Sequence, residues 1–383
     1  MSAYSFPVKR IGIVGGGQLG RMISAAATKL SCSCVVLCST PNSPAGQVAE
    51  RQIVGNLHDP EKLRELAEAC DVMTYEIEDI DTETLFQLEK EGHEIHPSPA
   101  VLQTIQDKFV QKQAFATNDI ATSEFVEVTD FTPEAFAEFG YPLVQKARRG
   151  GYDGRGVSIM KGPEDFDKHL PVPSLLERFV KAKKEIAVLV ARGKDGKTAV
   201  YPPVDMCFTD ENILDVLLAP ADISQEIADK ATELAVKVVD AVNGVGVFGV
   251  EMFLTEDNEV LVNEVAPRTH NSGHQTIEAN VTDQFEQHLR AVAGLPLGST
   301  EQVAPAAMIN LLSEPGFSGR TKIIGLKEAL EIPGVCVHLY GKDTTKPHRK
   351  MGHVTVVNST LETAHKKAEQ VRDLLKITGE DAL

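Results

Sequence analysis

The sequence predicts an α/β protein of two or three domains that opens on a parallel sheet with helices on both faces. Three observations lead there. From residue 10 to about 100, short apolar runs alternate with amphipathic ones, which is the pattern of β-α-β units. A chain of 383 residues is longer than one ordinary core requires. A hydrophobic content of 42% with 24% charged residues is that of a soluble globular protein.

Taken in order, "RIGIVGG" predicts a buried strand and "QLGRMISAAATKL" the helix after it. "CVVLCS" and "DVMTYEIE" predict further strands, separated by the helical "DPEKLRELAEAC". The helical "DTETLFQLEKEG" and a strand over "EIHPSP" complete this unit. Ligands of such a sheet sit at the carboxyl ends of its strands, where Gln18 and Glu76 fall. "SPAVLQTIQDKFVQKQAFATNDI" predicts one amphipathic helix leading into a smaller α/β unit over about 119–183. Beyond it come the strand "EIAVLVARG", the long helix "SQEIADKATELAVKVVDAVNG" and the hairpin pair "VGVFGVEMFL" and "EVLVNEVAP". After residue 300 the chain returns to short strands, "GVCVHLYG" and "GHVTVV", and then to the helix "LETAHKKAEQVRDLLK".

A formal net charge of −17 argues against a general nucleic-acid binder, because an acidic surface gains little by displacing phosphate counterions. No signal peptide opens the chain and no apolar stretch is long enough to span a bilayer, so a cytoplasmic protein is expected. Cys32, Cys34 and Cys38 cluster among β-formers; a buried strand explains them better than a metal site, since no His or fourth Cys completes a zinc set. Gly15, Gly17 and Gly20 satisfy the dinucleotide-binding fingerprint, with a helix N-terminus that can hold a phosphate. The second strand, however, ends "VVLCSTPNS", without the acid that accepts the ribose hydroxyl of a nicotinamide cofactor, so a dehydrogenase is disfavoured.

The strongest chemical signal is "EMFLTEDNEVLVNEVAPRTHNSGHQT". As a hairpin turning near residues 256–258 it pairs Glu251 with Val262 and leaves Glu264 as the diagonal neighbour on the same face. Two converging carboxylates, with Asn263 beside them, are the hard oxygen donors that Mg²⁺ takes in a nucleotide site. Arg268, His270 and Asn271 follow in a loop suited to a small anion. "RRGGYDGRG" predicts a glycine-rich hairpin tip able to cover phosphates, through Gly151 and Gly154 and with Arg148, Arg149 and Arg155 as cations. Lys108 and Lys146 are candidate phosphate contacts, and "LLERFVKAKKE" offers Glu177, then backbone for an adenine edge, then Glu185 for ribose hydroxyls. Lys342, Lys346, Arg349 and Lys350 form a basic run suited to a phosphomonoester dianion.

These stretches, with "GGGQLGRM", "TYEIED", "IQDKFVQK", "NEVAPRTHNSGH" and "HRKMGH", run from residue 11 to residue 353 in the order found in one family. The chain resembles the ATP-grasp enzymes and, within them, the 5-(carboxyamino)imidazole ribonucleotide synthases of purine biosynthesis. The resemblance implies an ATP-grasp architecture: an N-terminal open parallel α/β sheet domain over 1–100, an ATP-grasp domain over 101–300 with a small α/β lid, and a small β-rich C-terminal domain over 301–383. It implies ATP and Mg²⁺, with bicarbonate and 5-aminoimidazole ribonucleotide as the other substrates, and carboxyphosphate as the activated species. Glu251 and Glu264 would hold the metal. Arg268, His270, Asn271 and Lys350 would handle bicarbonate, and Asp153 would steer the amine. Gln18, Leu19, Glu76, Tyr152, Arg155, Lys342 and Arg349, again with Lys350, would take the ribonucleotide. Lys108, Lys146, Gly151, Gly154, Glu177, Phe179, Val180, Glu185 and Asn263 would take ATP. The resemblance further implies a homodimer, and in fungal members a fused domain that moves the carboxylate to carbon. A formate-using ATP-grasp ligase and a silent nucleotide-binding module remain the alternatives.

Overall fold

The N-terminal sheet is built around Arg10–Val14, whose Ile11, Ile13 and Val14 are sealed from solvent. It pairs in parallel with Ser33–Cys38 on one side and Val72–Tyr75 on the other, and Arg51–Val54 adds an edge beyond Ser33–Cys38. That edge strand is only four residues long, too short to carry a periodic signal in the sequence. The helices Gln18–Ala27, Pro60–Glu68 and Thr82–Lys90 lie where the periodicity predicts them. The strand expected over "EIHPSP" is reduced to a single bridge from Ile95 to Met73. Pro97 and Pro99 lack the N–H that a longer ladder needs. The structure is a computed structural model that describes residues 6–151, 156–209 and 214–382.

The single helix expected next is two, Pro99–Gln106 and Lys108–Thr117. Asp107 breaks it: its backbone is extended, and its carboxylate accepts from the N–H groups of Phe109 (3.0 Å) and Val110 (3.3 Å). An aspartate that caps a new helix start wins over continuation of the old one. Arg148 pairs with the same carboxylate at 2.6 Å and so ties the break to a small antiparallel sheet. That sheet runs Phe125–Val128, Ser174–Arg178, Leu143–Ala147, Val157–Met160 in spatial order.

The large sheet runs through Val260–Ala266, Gly246–Thr255, Ala182–Arg192, Val204–Phe208 and Leu214–Ala219, and then without interruption into Ala306–Leu312, Lys350–Val357 and Val335–Leu339. The C-terminal strands therefore extend the central sheet. Helix Gln225–Val242 starts at Ser224, whose hydroxyl accepts from Ile227 N–H, and ends at Asn243 in the left-handed region. Its Leu234, Val238 and Val239 pack on Ile186, Val188, Phe248 and Val250 to form the main core. Helix Gln284–Ala293, capped by Asp283, joins the two sheets: its Phe285, Leu289 and Val292 pack with Ile11 and Ile23 of the N-terminal unit. Lys29 meets Asp283 at 2.7 Å across that seam.

Phe248 is fully buried in the main core. Phe248→Ala should lower unfolding free energy by about 3–5 kcal/mol in denaturant titration, the usual range for an emptied aromatic site.

Candidate active site

Strands Gly246–Thr255 and Val260–Ala266 place Glu251 directly opposite Glu264, with Met252 opposite Val262. Asn263 is the extra residue of a bulge at that point, and this corrects the register expected from the sequence, which set Glu251 against Val262. Glu185 lies on the neighbouring strand opposite Phe253, two residues from Glu251 and therefore on the same face. Burial, then the Glu264 and Glu185 charges, push the Glu251 carboxyl well above its ordinary range. Lys108, bonded to Glu264, holds that carboxyl low instead. Lys108 reaches it because the Asp107 break makes Lys108 the first residue of its helix. At neutral pH the pair thus favours a shared proton or a further cation, which fits a divalent ion. Among the described residues no group of three or more His, Cys, Asp or Glu could hold a metal by itself.

Lys146 sits beside this pair, donating to Asn263 Oδ1 at 2.7 Å and meeting Glu177 Oε1 at 3.1 Å. The other Glu177 oxygen accepts from Ser123 Oγ at 2.8 Å and meets Lys112 Nζ at 3.1 Å. Glu177 and Lys112 side chains are 3% and 2% exposed. Burial would raise the Glu177 carboxyl, but Lys146 and Lys112 hold it at about 2. Burial also pulls Lys112 down to about 8, against the pull of Glu177. Glu177, expected as a nucleotide contact, therefore turns its carboxylate inward to the lysines. Lys112 and Ser123 are the residues sequence reasoning missed; the i, i+4 spacing of Lys108 and Lys112 on one helix was the available signal. Phe179 and Val180 lie in the link to the central sheet, with Phe179 exposed and Ala182 N–H donating to Val180 O at 3.0 Å. Gly151 closes on Gly156 at the tip of the small sheet; Tyr152, Asp153, Gly154 and Arg155 lie outside the described residues.

The loop after Val260–Ala266 brings His270 to the same point. Its backbone is clamped by Gln284, whose Oε1 accepts from His270 N–H (2.8 Å) and whose Nε2 donates to His270 O (2.7 Å). His270 Nδ1 accepts from Ser272 N–H at 3.3 Å, which assigns the ring proton to Nε2, 3.3 Å from Glu251 Oε1. Gly249 makes this approach possible: a Cβ there would lie 2.7 Å from His270 Cβ and Cγ. Arg268 pairs with Glu78 at 2.8 Å. Asn271 carries a buried amide whose nitrogen and oxygen both lack a partner among the described residues.

Glu76, at the carboxyl end of Val72–Tyr75, accepts from Gly17 N–H (2.6 Å) and Gly20 N–H (3.1 Å). Its carboxylate thus takes the place at the helix N-terminus where the glycine fingerprint suggested a phosphate. Burial raises this carboxyl despite the two N–H groups and the Arg268 and Lys342 charges. Gln18 Oε1 accepts from Lys342 Nζ at 3.1 Å, and Lys342 also donates to Lys350 O at 2.6 Å. Gln18, Glu76, Lys342 and Lys350 are therefore brought together. Arg349 donates to Thr344 O at 2.6 Å within the same basic hairpin. Leu19, expected against substrate, buries its side chain in the N-terminal core.

The comparisons with known proteins follow this geometry. A ribonucleotide synthetase preATP-grasp domain matches residues 8–106, an ATP-grasp domain 113–285, and a phosphoribosylaminoimidazole carboxylase C-terminal domain 306–367. The N5-carboxyaminoimidazole ribonucleotide synthase of Bacillus subtilis is 39% identical over 356 residues, 91% of this chain and 92% of that one. The chain belongs to the N5-carboxyaminoimidazole ribonucleotide synthase family. The crystal structure of the family member from Thermotoga maritima is 50% identical, covers 97% of this chain and 100% of its own, and superposes with a TM-score of 0.91. The Aspergillus clavatus synthase, in complex with ADP and 5-aminoimidazole ribonucleotide, is 37% identical with a TM-score of 0.88, over 95% of this chain and 98% of its own. The phosphoribosylaminoimidazole carboxylase of Ogataea methanolica is 40% identical over 376 residues, 94% of this chain and 68% of that protein, so this synthase chain spans about two thirds of its fungal relative.

Gly249→Ala should push the His270 ring off Glu251 and lower kcat about a hundredfold, with little change in circular dichroism. Glu177 carries a depressed carboxyl, so its stabilisation is complete above the ordinary value of 4.5 and is lost as pH falls toward about 2. Glu177→Gln should lower stability at pH 7 and flatten that acid limb in thermal melts followed against pH.

Proposed function

We propose that this chain carboxylates the exocyclic amine of 5-aminoimidazole ribonucleotide, using ATP and bicarbonate, and forms N5-carboxyaminoimidazole ribonucleotide, ADP and phosphate. The observation that carries the reading is the convergence at Glu251: Glu264 with Lys108 and Asn263 with Lys146 lie on one side, and His270 of the anion loop on the other. A phosphoryl group and a small anion would meet there. Glu251 and Glu264 would hold Mg²⁺, which supplies charge neutralisation for the transferring phosphoryl group.

Lys108 and Lys146 bind the ATP phosphates, and Glu185 the nucleotide sugar. Arg268, His270 and Lys350 orient bicarbonate so that one of its oxygens attacks the γ-phosphorus while the bond to ADP breaks, giving carboxyphosphate. Asn271 offers its unpartnered amide to the same anion. The ribonucleotide lies between the N-terminal sheet and the basic hairpin, with Glu76 and Gln18 at the sugar and ring and Lys342 and Arg349 at the 5′-phosphate. Its amine nitrogen then attacks the carboxyl carbon, the carbon–oxygen bond to phosphate breaks, and the amine proton leaves with the nearest base; Asp153 is assigned that role. The reading includes a cytoplasmic homodimer; among the described residues no helix is long and apolar enough to cross a membrane.

ADP release from Mg²⁺-ATP should rise only when ribonucleotide and bicarbonate are both supplied, with an acid-labile carboxylated product. ATP that binds without turning over under every combination would overturn the reading. Lys350→Ala should abolish turnover while ATP affinity, measured by calorimetry, stays within about twofold; unchanged turnover removes Lys350 from the reacting set.

A further inference from the structure

Three imidazoles stack inside the molecule, between the anion loop and the C-terminal strands. His338 and His353 occupy paired positions on adjacent strands, with ring centroids 4.4 Å apart and planes within 12°. His274, three residues past Asn271, lies 4.5 Å from the His353 ring. His353 is fully buried and His274 is 2% exposed. Burial pushes the His274 and His353 rings well below their ordinary pKa.

The stack is wired to two parts of the site, through its outer ring His274 and its central ring His353. His274 Nδ1 lies 3.3 Å from Gln284 Nε2, the same amide that holds the His270 carbonyl. His353 Nδ1 shares a hydrogen bond with the buried Tyr340 hydroxyl at 2.9 Å, and His338 meets Glu278 at 2.7 Å. The Tyr340 ring faces the Lys342 ammonium at 5.5 Å, and that ammonium reaches Gln18 and the Lys350 carbonyl. Among the described residues His353 Nε2 has no partner, so the arrangement carries a polar cost that an apolar filling would avoid. Stability therefore does not explain the choice of these side chains, whereas a fixed orientation of the Tyr340 ring does.

We propose that Tyr340 and His353 are positioning residues, whose hydrogen bond and ring stack fix Lys342 relative to the His270 loop and so hold the ribonucleotide phosphate in register with the carboxylating end. The inference rests on the function proposed above. Tyr340 acts through its ring on Lys342, and His353 acts through Tyr340 and His274.

The test compares Tyr340→Phe, which deletes one hydroxyl, with His353→Leu and His353→Asn; the Asn amide can occupy the place of Nδ1 and keep the bond to Tyr340. Tyr340→Phe and His353→Leu should raise KM for 5-aminoimidazole ribonucleotide about tenfold, leaving KM for ATP within about twofold. His353→Asn should restore most of the ribonucleotide KM. Tyr340→Phe with an unchanged ribonucleotide KM overturns the proposal, as does a parallel rise in both KM values, which marks general damage. His353→Leu that fails to fold leaves Tyr340→Phe to decide. Lack of ribonucleotide-dependent turnover in the unmodified chain overturns the functional reading instead, and is seen before any variant is made.

Discussion

Glu251 and Glu264 face each other across adjacent strands, and like charges so placed repel. The rest of the site is arranged around that repulsion. Lys108 meets one carboxylate and His270 the other, while Lys146 stands one residue away at Asn263. The pairing exists because one extra residue in the hairpin turns a diagonal into a direct opposition. The helix break at Asp107 has the same logic, because it delivers Lys108 to the pair and lets Arg148 bind the small sheet to the break. Two local irregularities, a bulge and a cap, therefore create the charge pattern around Glu251 and Glu264.

Behind the site lies a buried ladder from Lys112 through Glu177 to Lys146 and Asn263. Such a ladder is poor evidence for stability, since desolvating three charges offsets most of their attraction. Its effect is directional. Glu177 holds Lys146 on one side and Lys112 on the other, so the Lys146 ammonium at Asn263 has one preferred place. The same principle recurs where Gln284 clamps His270 from both sides, and it explains why Gln284, Glu177 and Lys112 are polar and buried.

Much of this was legible in the sequence, and the failures have physical causes. Alternating apolar runs mark the N-terminal sheet, and "NEVAPRTHNSGH" points to Glu264 and the loop carrying His270 as one constellation, which the structure closes on Glu251. Periodicity could not show the bulge at Asn263, because a single inserted residue leaves the apolar pattern on each side intact. Nor could it show the break at Asp107, where two helices of similar amphipathicity abut and only the capping preference of aspartate separates them. A sequence shows Glu177 as a carboxylate without its neighbours; Lys112 and Ser123, which claim it, come from more than fifty residues earlier. The glycine motif presents Leu19 at the start of the helix, yet its side chain belongs to the core.

The loop Gly15–Gly20 illustrates what a short pattern does and does not specify. Its glycines shape a backbone with N–H groups aimed at an anion, and in this chain the anion is a side chain of the protein itself, Glu76, from the end of another strand. The motif describes a socket, and the occupant is chosen 59 residues downstream. Two proteins can therefore share the pattern letter for letter and differ in whether that socket is open to a diphosphate or already plugged, with the deciding residue lying outside any window in which the motif is searched.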